Sequence, residues 1–254
     1  MLLGAHVSIA GGYMNALIEA QRLGIDAIQI FTKNQRFWRE KEVSPEEGVA
    51  FKKAMKKYGV RQAFSHAIYL ISLGSQNDEI IEKSLLSLAM ELNRCDRLGL
   101  SHTVLHPGAA GSGSVDAAIS RIGDHIKMVL AATKNVSAKI LLENTAGQGS
   151  SLGGRIENIA DLLSHINSPR VGVCIDTCHA FAAGYDLRKA KDISHFFNLL
   201  DQRIGLERIS CFHLNDSKGA LGSKLDRHAH IGEGHLGTAV FKYILNNFKD
   251  RPKV

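Results

Sequence analysis

Short apolar runs alternate with longer helical patterns along nearly the whole chain, and that order constrains the fold more than any other feature. Candidate strands fall at residues 2–7, 26–31, 61–66, 102–106, 138–143, 171–176 and 208–214. Between them, stretches such as NALIEAQRLG, EEGVAFKKAMKKYG and IEKSLLSLAMELNRCDRLG carry apolar residues at helical spacing and close on glycine. Repeated units of this kind build a parallel sheet covered by helices. Seven of them in 254 residues fit a TIM (β/α)₈ barrel, one domain over residues 1–254. Closure requires one more apolar run, yet after TAVFKYILNNFKD comes only RPKV. The expectation is therefore a missing eighth strand and a domain truncated at its C-terminus, with an open barrel or a partner's strand as the other solutions.

Five of the apolar runs stop on a residue able to ligate a metal: QAFSH on His66, TVLH on His106, KILLE on Glu143, GVCID on Asp176 and ISCFH on His213. Parallel barrel strands gather their C-terminal ends around one mouth, so such residues converge although they are far apart in sequence. Two local pairs enlarge the set. Asp176 and His179 share one side of a helical turn, and Asp226 and His228 point the same way from an extended loop. Imidazole and carboxylate without thiolate suit zinc with an open coordination position, and eight ligands exceed what one ion uses. Taken singly, each is more often a helix cap or a satisfied core residue. Five in register are not explained that way. His6 and His230 are ambiguous, whereas His102, His125, His165, His195 and His235 read as structural or surface.

The glycine-rich and polar segments that follow the strands, such as SIAGG, PGAAGSGS and NTAGQGSSLGGR, are the loops in which a barrel builds its site. One of them, TKNQRFW, carries Asn34, Arg36 and Trp38, and Tyr69 and Leu70 lie just beyond His66. Such basic and apolar side chains can enter a DNA groove and hold a nucleotide out of its stack; equally, they can be a solvated loop around one buried Trp and the start of a helix. A net charge of +6 favours a polyanionic partner. Cys95, Cys174, Cys178 and Cys211 lack paired metal or redox spacing and read as buried, reduced thiols. The opening MLLGAHVSIAGG has no basic leader, and no later run is long enough to span a bilayer, so the expectation is a cytoplasmic protein with no membrane partner.

The motifs GAHVS-x-x-GG (4–12), FTKNQR (31–36), LHPG (105–108), LLEN (141–144), IDTCH (175–179), HLNDSK (213–218) and DRH (226–228) together resemble endonuclease IV, the zinc-dependent apurinic/apyrimidinic endonuclease family. The resemblance implies a TIM barrel with three zinc ions. It assigns His66, His106 and Glu143 to one ion, Glu143, Asp176 and His213 to a second, and His179, Asp226 and His228 to a third, with Glu143 as the bridge. It thereby selects His228 over His230. It also implies a final strand ending in a glutamate that completes the second ion's shell, a role no residue of this sequence is given.

The function so implied is metal-assisted phosphodiester hydrolysis on the 5′ side of abasic sites in double-stranded DNA by a monomer. Arg36, Tyr69 and Leu70 are the candidate wedge, supported by Asn34 and Trp38. Two other readings are a sugar isomerase of the xylose-isomerase-like barrel type and a DNA-binding protein whose catalysis truncation has impaired.

Overall fold

A computed structural model describes residues 1–39 and 42–254. The strands β1 (Leu2–His6), β2 (Ala27–Ile30), β3 (Gln62–His66), β4 (His102–Leu105), β5 (Lys139–Glu143), β6 (Val171–Asp176) and β7 (Ile209–His213) follow the order expected from the apolar runs. The helices α1 (Tyr13–Leu23), α2 (Pro45–Lys57), α3 (Asp78–Leu98), α4 (Val115–Ala132), α5 (Ile156–Ile166), α6 (Thr177–Ala183), α7 (Ala190–Arg203) and α8 (Ala239–Asn247) lie between or after them. A short antiparallel pair, β8 (Asp216–Ser217) with β9 (His228–Ala229), projects from the mouth.

The barrel is closed, and this corrects the expectation of a missing strand. RPKV contains β10 (Pro252–Lys253), which pairs in parallel with β1 through Leu2↔Pro252 and Leu3↔Lys253, and with β7 through Lys253↔Phe212. The amide of Val254 donates to the Phe212 carbonyl at 2.9 Å, and the amide of Leu214 donates to the Val254 carbonyl at 2.7 Å. Proline is tolerated at a strand's first residue, where no ladder donor is needed. The buried Lys253 gives its ammonium to the carbonyls of Phe248 and Arg251. So short and polar a strand carries no apolar signal, because closure here rests on backbone pairing between two neighbours.

Sequence chemistry fixes the element ends that matter for the mouth. Ser44 caps α2 in a capping box with Glu47, Asn77 caps α3 through the amide of Ile80, and Ser114 caps α4 through that of Ala117. At the seam between β1 and β2 the chains run so close that a Cβ on Gly4 would lie 2.3 Å from the carbonyl oxygen of Ala27. Most apolar side chains fill the layer between strands and helices; a smaller cluster of Phe64, Val104, Leu141, Cys174 and Cys211 forms a second core. All four cysteines are free and buried, as their spacing suggested. None of the described helices is long and apolar enough to cross a membrane.

Candidate metal centre

Strands β3, β5, β6 and β7 end on His66, Glu143, Asp176 and His213, and His106 follows β4 directly. The parallel register brings all five to one rim, where Glu143 stands opposite Cys174 and Asp176 opposite His213. Glu143 is at the centre and 1% exposed. Its Oε2 lies 3.2 Å from Nε2 of both His66 and His106, and its Oε1 lies 2.8 Å from His213 Nδ1 and 3.4 Å from His179 Nδ1. On the open side, His179 Nε2 is 3.2 Å from Asp226 Oδ2 and His228 Nε2 is 3.1 Å from Asp226 Oδ1. The cleft so formed encloses about 330 Å³.

Five groups of donor atoms, the atoms of each lying within 4.8 Å of one another, occur among the described residues. Two include a cysteine (Cys174, Cys211 and His213; Asp176, Cys178 and His228), and three hold imidazole and carboxylate alone: His66, His106 and Glu143; Glu143, Asp176 and His213; and His179, Asp226 and His228. These last are the three sets the family resemblance implied, and His228 takes part where His230 takes part in none among the described residues. The donor chemistry fits zinc. A buried carboxylate ringed by four imidazoles at 2.8–3.4 Å, with the buried His179 Nε2 set 3.2 Å from Asp226 Oδ2, is a crowded donor set that divalent cations satisfy well.

The imidazoles are oriented by their second nitrogens, as metal-binding histidines commonly are. His66 Nδ1 donates to the Ala67 carbonyl at 2.7 Å and His179 Nδ1 to the Asn144 carbonyl at 2.8 Å, leaving Nε2 of each to face the cleft. His213 is turned the other way: its Nε2 donates to Gln29 Oε1 at 2.8 Å and its Nδ1 faces Glu143.

Electrostatics are strongly coupled across the rim. Burial pushes the Glu143 carboxyl up, but the facing imidazoles of His213, His106 and His179 outweigh it and hold the group well below the usual carboxylate range. Burial pushes His213 and His179 down, but the surrounding carboxylates outweigh it, raising His213 to about 9 and His179 well above the ordinary value. Hydrogen bonds from His179 and His228 depress Asp226. Burial lowers His66. In the metal-free protein, protons on the imidazoles thus balance the carboxylates.

Several positioning residues escaped the sequence reading. Asn144 accepts from the Asp176 amide at 2.7 Å and donates to its carbonyl at 3.0 Å, while its own carbonyl orients His179. Asn215 Nδ2 donates to Asp176 Oδ2 at 2.6 Å. Asp216 is fully buried and accepts the amides of Gly232, Gly234 and Leu236, which pins the loop carrying Asp226 and His228. The available signal was placement alone: LLEN puts Asn144 directly after Glu143, and HLND puts Asn215 and Asp216 two and three residues after His213.

The groove residues divide by burial. Tyr69 is exposed over the cleft, its ring 5.3 Å from that of His66 and 5.6 Å from that of His106, whereas Leu70 is half-buried against the core. Asn34 and Arg36 are exposed on the β2–α2 loop, where Asn34 Oδ1 accepts the Arg36 amide at 2.9 Å. Trp38 packs partly into the core, and Lys33 donates to its carbonyl at 3.1 Å. Beneath the loop, the buried Arg94 donates to Thr32 Oγ1 at 2.8 Å and to Glu91 at 2.7 Å.

The closed parallel barrel is that of the xylose isomerase-like TIM barrels, and the model for that family matches residues 17–253. A probable endonuclease 4 of Chloroflexus aurantiacus is 44% identical over 254 residues, covering 99% of this chain and 89% of its own, and one of a Geobacter species is 43% identical over 255 residues, covering 99% and 90%. The crystal structure of endonuclease IV from Thermus thermophilus superposes with a TM-score of 0.89 at 39% identity, over 100% of this chain and 91% of that one. A D-tagatose 3-epimerase-like protein shares the fold at a TM-score of 0.76 and 20% identity. The chain belongs to the endonuclease IV family.

Proposed function

We propose that this protein is a DNA repair endonuclease that hydrolyses the phosphodiester on the 5′ side of an abasic site in double-stranded DNA, leaving a 3′-hydroxyl and a 5′-deoxyribose phosphate. One observation carries the reading: three donor groups share one barrel mouth, two of them joined through Glu143, in a member of the endonuclease IV family. Three zinc ions are the proposed cofactor, held by the three sets already described, with Glu143 as the bridging ligand. Bound there, zinc supplies Lewis acidity toward the scissile phosphate and its attacking water.

The chain's own residues bind and orient. The exposed Arg36 and Asn34 meet the duplex beside the cleft, Trp38 supports their loop, and Tyr69 with Leu70 enters the stack where the base is absent. An abasic nucleotide has already lost pairing and stacking on one side, so extruding it costs less than extruding an intact one. The barrel, residues 1–254, acts as a monomer, and its four free thiols fit the reducing cytoplasm.

The test is incision of a duplex carrying one abasic analogue by zinc-loaded protein, beside His106→Ala. Incision by the wild type alone, with about three zinc per chain by elemental analysis, is the expected result. No incision above the variant would sink the activity, and sugar turnover with magnesium or manganese would point to an isomerase instead.

A further inference from the structure

Gln29 is a polar residue in the middle of the otherwise apolar β2, 3% exposed, and orienting His213 accounts for only one end of its amide. Its amide bridges two imidazoles from different strands. Nε2 approaches His6 Nδ1 at 3.0 Å, and Oε1 approaches His213 Nε2 at 2.8 Å. An amide nitrogen only donates and an amide oxygen only accepts, so the two contacts are directional. His6 must present a lone pair at Nδ1 and therefore carries its proton at Nε2. His213 must carry a proton at Nε2, which leaves Nδ1 to face Glu143 at 2.8 Å and Asp176 at 3.9 Å.

We propose that Gln29 is a positioning residue that sets both tautomers at once, fixing His213 with Nδ1 toward the donor group it shares with Glu143 and Asp176, and His6 with an Nε2–H available to a phosphodiester oxygen. The proposal rests on the metal-dependent reading above. His6 lines the metal cleft and also the adjoining groove of about 550 Å³ bounded by Phe31, Asn34 and Gln35, with its ring 4.6 Å from that of Phe31. One buried amide thus ties the seat of an ion to a donor on the face where the substrate backbone lies. Without it, His213 is free to offer either nitrogen, and a histidine that has lost its outer partner typically holds metal about 10–100-fold more weakly.

Two substitutions at one position separate the two halves. Gln29→Ala removes both hydrogen bonds. Gln29→Glu keeps an acceptor for His213 Nε2–H but cannot donate to His6 Nδ1. Zinc retention, measured by competition with a chromophoric chelator, is expected to fall about 10–100-fold for one ion in Gln29→Ala and to return to the wild-type level in Gln29→Glu. Incision by Gln29→Glu is expected to show a raised KM for abasic duplex, matched by His6→Ala with full zinc content. The ¹⁵N spectrum of the zinc-loaded wild type should show His213 protonated at Nε2. Equal zinc retention by wild type and Gln29→Ala, or a His213 protonated at Nδ1, overturns the proposal. Loss of zinc in Gln29→Glu as complete as in Gln29→Ala does so too, since bulk packing would then explain both. If the two variants differ in zinc retention as expected but the zinc-loaded wild type incises nothing, the endonuclease reading falls and the role of Gln29 in positioning His213 stands.

Discussion

The amide of His179 donates to Asp176 Oδ1 at 2.9 Å, so the carboxylate that caps helix α6 is the same one whose Oδ2 reaches toward His213 at 3.9 Å and His228 at 3.7 Å. Capping and ligation are alternatives when a strand-terminal Asp is read from sequence. Here they are one arrangement: the cap locks the rotamer, and the second oxygen is thereby aimed into the cleft. Asp176→Asn retains an oxygen for the cap and loses the charge, whereas Asp176→Ala loses both. In urea unfolding of metal-free protein, the Ala variant should be about 1 kcal/mol less stable than the Asn variant. Elemental analysis should find zinc depleted in both.

Zinc uptake should release protons near neutral pH. His213, raised from 6.5 to about 9 chiefly against burial by Glu143, is protonated in the metal-free chain at pH 7, and a ligating imidazole must be neutral. Apparent zinc affinity should therefore climb from pH 6 toward about 9 and then level. Calorimetry in buffers of different ionisation enthalpy measures the release directly. The metal-free fold runs the opposite way. A folded pKa above the unfolded value contributes stability that is complete below about 6.5 and is lost as pH rises through about 9, of order 3 kcal/mol for this group. A metal-free chain that gains stability between those values would contradict the assignment.

Gly4→Ala should strain the β1–β2 seam. The added Cβ would meet the Ala27 carbonyl at 2.3 Å, a backbone atom that moves only with its strand. Overpacking of this kind costs about 1–3 kcal/mol, so thermal unfolding should shift down measurably. His6 sits two residues on along β1, so any displacement there would also reach the His6–Gln29 contact.

The seven longer strands, and the donor residues that end or directly follow five of them, were legible because each is written locally, as an apolar run with, in those five, a polar atom at the rim. β10 was not, since Pro252 and Lys253 have no apolar signature and owe their place to the backbones of β1 and β7. Gln29 was invisible for a related reason. A single polar residue in a buried strand reads as an exception to the pattern until the two imidazoles that need it, His6 and His213, are brought beside it by strands separated by most of the chain. The same holds for Asp216, whose acceptors organise a loop some twenty residues long that sequence alone shows only as polar and glycine-rich.

Tyr69 and Leu70 are adjacent, but their substitutions should behave differently. Tyr69 is 61% exposed and rests on the rings of His66 and His106, so truncation removes little core packing and leaves the donor groups intact. Tyr69→Ala should keep the wild-type zinc content, with stability within about 0.5 kcal/mol. Leu70 packs against the main core, and Leu70→Ala should cost about 1–3 kcal/mol because its side chain is only partly buried. If both insert where the base is missing, each variant should bind abasic duplex more weakly while binding intact duplex as the wild type does. Fluorescence anisotropy on the two duplexes, at one fixed salt concentration, makes the comparison. A Tyr69→Ala variant that loses affinity equally for both duplexes would show a general contact with the phosphate backbone, and the wedge would then have to be sought in Arg36.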